Sequence, residues 1–173
     1  MLVLRCTQKL LKRIGSPIAD PPASTTALGD WYAQPLAIGH QRYVLLISER
    51  SRLPVLMPGR NVKHLAAHLP AALARVLAGL GVPQEVIARE LAEAGEIVIA
   101  KTASRSLLGT LNDFTHMLRW QLRDEPNPDL TVEAVRLSDT TVGPLGPGWP
   151  DELTFRLLGC EAPRFRGRRG QSS

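Results

Sequence analysis

The chain reads as an α+β fold, a small mixed or antiparallel sheet of about four strands packed against about four helices. Short apolar runs at residues 2–6, 42–48, 53–57 and 96–100 have the length and composition of strands. Longer stretches between and after them carry apolar residues at three- and four-residue steps, the spacing of one helix face turned to a core. A length of 173 residues, with 44% apolar and 21% charged side chains, is enough to bury such a core.

In chain order, Leu2 to Cys6 is short and β-compatible, and Thr7 can cap a helical turn through Leu10, Leu11 and Ile14 that stops at Gly15. Residues 16–27, with Pro17, Pro21 and Pro22 among small polar residues, read as a surface loop. No element is assigned over residues 28–41. Arg42 to Ser48 and Leu53 to Met57, joined by the polar turn Glu49 to Arg52, form a hairpin. Pro54 cannot donate to a sheet ladder and so marks an edge.

Val62, Leu65, Ala66, Leu69, Leu73, Val76, Leu77 and Leu80 make a helical stripe that keeps its phase through Pro70, which favours one kinked helix ending near Gly79 and Gly81. Pro83 opens a second helix with Val86, Ile87, Leu91 and Ala94 inward and Gly95 as its stop. Residues 96–100 are a buried strand, and Leu107, Leu111, Phe114, Leu118 and Leu122 stripe the helix that follows. A further helix is expected over Thr131 to Leu137, followed by a proline- and glycine-rich exit. The organisation is a single domain over residues 1–145 with a C-terminal appendage over 146–173. In that appendage Trp149, Leu153, Phe155, Leu157 and Leu158 can pack back before a disordered, arginine-rich tail.

No apolar run approaches the roughly 18–20 residues of a membrane helix. Arg5, Lys9 and Lys12 interrupt the start too early for a secretory signal, so a soluble, cytoplasmic protein is expected, with no membrane partner. Cys6 and Cys160 form no C-x-x-C pair, signalling neither zinc nor a disulfide framework, and Cys6 reads as a core residue. The net charge is +5, of which Arg164, Arg166, Arg168 and Arg169 supply +4, leaving +1 for residues 1–163. A nearly neutral body with a basic tail differs from the basic face of a dedicated nucleic-acid reader, although the tail can add salt-sensitive attraction to phosphates.

The segment with most chemistry is Lys101, Thr102, Ala103, Ser104, Arg105 and Ser106, where a strand hands over to a helix. Free amides at a helix start and the positive end of its dipole, joined by Lys101 and Arg105 with the hydroxyls of Thr102, Ser104 and Ser106, can hold a phosphate or carboxylate. The segment lacks the glycines of a nucleotide-binding loop, and Ser106 can equally serve as a plain N-cap. Farther along that helix, Asp113 and His116 stand three apart and can touch, one element of acid–base catalysis with no nucleophile assigned to it. His64 and His68 are four apart on one helix but belong to no H-E-x-x-H motif; no metal and no cofactor is expected.

Four strings together resemble a known family: Thr7 to Leu11; Leu28-Gly29-Asp30-Trp31-Tyr32-Ala33; Ser48-Glu49-Arg50 with Leu53 to Leu56; and Lys101 to Phe114. Over about residues 1–145 the chain is similar to a bacterial family catalogued as domain-of-unknown-function family 6933. The resemblance implies a bacterial intracellular protein and carries no activity with it. The chain departs from the family's usual pattern at Ser104, where relatives carry Asn.

The leading expectation is therefore a non-catalytic binding module whose residues 101–106 grip a phosphate-bearing partner, nucleic acid among the candidates. The alternatives are a small hydrolase or transferase acting on an anionic substrate, with Asp113 and His116 at its centre, and the partner-binding subunit of a toxin–antitoxin or defence pair.

Overall fold

The computed structural model describes residues 1–141 and 148–163. In chain order the elements are β1 (Leu2–Cys6), α1 (Gln8–Ile14), β2 (Trp31–Ile38), β3 (Gln41–Ser48), β4 (Pro54–Pro58), a short 3-10 turn (Val62–His64), α2 (Leu65–Leu80), α3 (Gln84–Ala94), β5 (Ile97–Lys101), α4 (Arg105–Gln121), α5 (Leu130–Ser138) and α6 (Pro150–Leu158). The strands form one mixed sheet in the order β4-β3-β2-β1-β5. β1 runs parallel to both of its neighbours, with Arg5 opposite Tyr32 on one side and Ala100 on the other, while β2, β3 and β4 form an antiparallel meander.

Both faces of this sheet are covered. Because side chains alternate along a strand, Leu2, Leu4, Cys6, Trp31, Ala33, Val44, Leu46, Val55 and Met57 join one core with α1, α2, α3 and α6. Tyr32, Leu36, Ile38, Tyr43, Leu45, Ile47 and Leu56 join a second core beneath α4, built around Leu107, Leu111, Phe114 and Leu118. α5 lies against β4 and α2, sending Ala134 to the first core and Leu137 to the second. Phe155 and Leu158 of α6 are 3% exposed, so the helix of the C-terminal appendage completes the first core.

The α+β class is as the sequence indicates, with β2 as an additional strand. β2 escapes the sequence pattern because Gln34, Pro35 and Ala37 break its apolar run. The structure tolerates Pro35 because pairing with β1 ends at Ala33, leaving the proline no ladder bond to donate on that side. Pro54 lies on the edge strand β4, and α2 runs unbroken through Pro70. Cys6 is fully buried. Among the described residues, no helix is long and apolar enough to cross a membrane. Arg164, Arg166, Arg168 and Arg169, with the glycine- and proline-rich stretch 142–147, lie outside the described residues.

Candidate anion-binding site

The parallel strands β1 and β5 end together, with Cys6 opposite Lys101, and the chain leaves β5 to enter α4 after three residues. The loop before β2 and the turn between β3 and β4 meet at the amino end of β2, which starts level with the middle of β1 (Trp31 opposite Leu4), and there the Glu49 amide donates to the Asp30 carbonyl at 2.7 Å. Carboxyl ends of parallel strands beside helix starts are where open α/β sheets tend to hold ligands.

The loop is held rigidly. Glu90 of α3 is 4% exposed and its two carboxylate oxygens accept from the amides of Ala27 and Leu28, both at 3.0 Å. Gly29 follows with φ of +76°, a left-handed backbone that favours glycine, and the Glu49 and Arg50 side chains close over it. Asp30 is thereby set beneath Arg5: Arg5 Nε donates to Asp30 Oδ2 at 2.6 Å, and Ser24 Oγ donates to Asp30 Oδ1 at 2.6 Å. Arg5 also donates to the Lys101 carbonyl at 3.0 Å, and its guanidinium carbon is 6.0 Å from the centre of the Tyr32 ring.

Tyr32 connects this network to α4. The backbone of Ala103 hydrogen-bonds its hydroxyl; burial pushes the phenol above its ordinary pKa, against the opposing pull of Arg5 and of that hydrogen bond. Arg52 closes the cluster from the other side. It occupies the left-handed region at φ 62°, donates to the Glu49 carbonyl at 2.9 Å and reaches Ser106 Oγ at 3.3 Å. Its Nε is buried with no hydrogen-bond partner, and burial lowers the guanidinium's pKa, against Glu49 and Tyr32.

α4 begins at Arg105 with Ser104 as N-cap, two residues before the Ser106 cap that the sequence allowed; Ser104 Oγ accepts the Leu107 amide at 3.3 Å. The Leu108 amide goes to the Ser104 carbonyl at 3.1 Å, which leaves the amides of Arg105 and Ser106 outside the capping bonds. No acidic residue occupies the first turn.

The six residues read from the sequence thus separate. Arg105 and Ser106 are exposed at the mouth of α4, whereas the Ser104 hydroxyl is used as a cap acceptor. Thr102 is half-buried between strand and helix. Lys101 is exposed, and strand alternation places it on the side of Ile97 and Ile99, across the sheet from Arg5 and Ala100. Arg5, Tyr32 and Arg52 complete the cluster and are missing from the sequence reading. The nearest signal was Arg5, a cation inside an otherwise apolar strand.

Asp113 and His116 are both exposed on the outer side of α4, well past its first turn. His64 and His68 are exposed with ring centres 6.2 Å apart, and no group of three or more His, Cys, Asp or Glu side chains capable of holding a metal occurs among the described residues.

Residues 3–153 match one family model, described as Domain of unknown function (DUF6933). No curated protein and no solved structure matches the chain.

Proposed function

The chain belongs to the family described as domain of unknown function (DUF6933), and from its own geometry we propose that it is a non-catalytic bacterial cytoplasmic binding module that holds a phosphate-bearing partner at the mouth of α4. One observation carries this reading. Arg105 at the first position of α4 and Arg52 against Ser106 put two guanidiniums at the positive end of a helix whose first turn has no acidic residue. Cations are unfavourable there by roughly 0.3–1 kcal/mol each, and an anion bound between them reverses the sign. The amides of Arg105 and Ser106, the Ser106 hydroxyl and the two guanidiniums suit the several oxygens of a phosphate. Asp30 and Glu49 offset Arg5 and part of Arg52, so the attraction is local rather than a broad basic face.

Nucleic acid is the macromolecular partner that fits best, with the tail arginines adding sequence-independent attraction to neighbouring phosphates. Fluorescence anisotropy with a labelled single-stranded oligonucleotide, over a series of salt concentrations, tests the proposal. Binding should fall steeply with salt, and the double change Arg52→Ala with Arg105→Ala should flatten the slope by about 1.4, at about 0.7 per phosphate contact. Lys101→Ala should matter less. Binding indifferent to the double change would reject the α4 mouth as the site.

A further inference from the structure

A second site stands at the other edge of the sheet. The end of β4, the turn that follows it, the first half of α2 and the start of α5 enclose a cleft of about 530 Å³, within the roughly 300–1,000 Å³ of small-molecule sites. Its wall on α2 is low because the exposed Ala67 and Ala71 lie one turn apart, and the half-buried Leu130 supplies further apolar surface. The corner leading into α2 is fixed. A Cβ on Gly59 would lie 2.7 Å from the Arg42 backbone, and Asn61 holds φ 56°. The turn at this end of the cleft is therefore set by backbone geometry.

Its arginines are unpaired. Arg60 and Arg75 both line the cleft, and neither makes an ion pair among the described residues. His68 also lines the cleft. Asp129, the carboxylate of the lining, already accepts the Val132 amide as the N-cap of α5 at 3.1 Å. Two free guanidiniums beside an apolar trough are complementary to one kind of ligand.

We infer that this cleft binds a small amphipathic anion, an apolar body ending in a carboxylate or phosphate, with the body over Ala71 and Leu130 and the head at the free guanidinium of Arg60 or Arg75. The two head groups are one chemistry for a guanidinium, which forms bidentate bonds with either. The residues are distinct from those at the mouth of α4, so this site stands or falls separately from the function proposed above.

Calorimetric titration of the full chain with decanoate, decyl phosphate and decanol, each below its aggregation limit, tests the inference. Decanoate or decyl phosphate should bind at least about tenfold more tightly than decanol, the scale of a charge-assisted hydrogen bond. Arg60→Ala with Arg75→Ala should remove that margin and leave decanol unchanged. Ala71→Phe, a change at an exposed position, should abolish binding of all three while the melting temperature stays put. Arg52→Ala with Arg105→Ala should leave decanoate binding intact. Absence of binding at millimolar probe overturns the inference, as do equal affinities for decanoate and decanol or indifference to Ala71→Phe. Binding only to anionic vesicles and not to the free probes would overturn it too, by assigning the cleft to a membrane surface.

Discussion

Arg52 donates to Ser106 Oγ at 3.3 Å across the gap between the β3–β4 turn and the first turn of α4. This bond is made by a residue in the left-handed backbone region, at φ 62°. A non-glycine residue there costs of order 1 kcal/mol. The turn therefore carries local strain while placing a cation against the positive end of a helix.

Arg52→Gly follows directly. Glycine relieves the backbone while removing the guanidinium, so the stability of the variant should lie within about 1 kcal/mol of the parent in urea unfolding. Its affinity for a phosphate probe should fall by at least about tenfold, the worth of a charge-assisted contact. A variant that unfolds early instead would make Arg52 a structural clamp.

Glu90 gives the largest expected effect on stability. Its buried carboxylate accepts two loop amides at 3.0 Å, and Glu90→Ala strands both. With roughly 1–3 kcal/mol for each buried donor left unpaired, a loss of about 3 kcal/mol is expected, with Glu90→Gln recovering part of it. Chemical denaturation measures this, and a loss below about 1 kcal/mol would show that the loop is held elsewhere.

Alkaline pH should weaken the fold through Cys6. Burial pushes its thiol up to about 12 from 9.0. The folded state therefore keeps a proton that the unfolded state releases above pH 9. The stabilisation is full below the unfolded pKa and is lost as pH rises through the folded value. Unfolding free energies measured across the range from pH 8 to pH 10.5 should fall, and fall less for Cys6→Ala, if the thiol is the responsible group. Tyr32 and Tyr43, both raised by burial, contribute in the same direction. In the same native protein the half-buried Cys160 should react with a thiol reagent well before Cys6.

Most of the fold is legible because periodicity reports burial. The stripe from Leu65 to Leu80 survives Pro70, and the edge position of β4 follows from Pro54. β2 is not legible. Its Trp31, Tyr32 and Ala33 are all buried, which removes the alternation of polar and apolar residues that marks a half-exposed strand. The site is legible only where it is local. Arg105 and Ser106 follow from a strand running into a helix start. Arg5, Tyr32 and Arg52 reach that place through strand pairing and a turn far away in sequence, which no spacing records. Lys101 misleads for the converse reason: it is adjacent in sequence, yet strand alternation turns it to the other side of the sheet.

The most direct test of the anion site is an amide-resolved NMR titration of the full chain with inorganic pyrophosphate at low salt. The backbone amides of Arg105 and Ser106 should shift first and saturate together, and Arg52→Gly should abolish the response. Shifts confined to residues 164–173, with α4 unmoved, would contradict it.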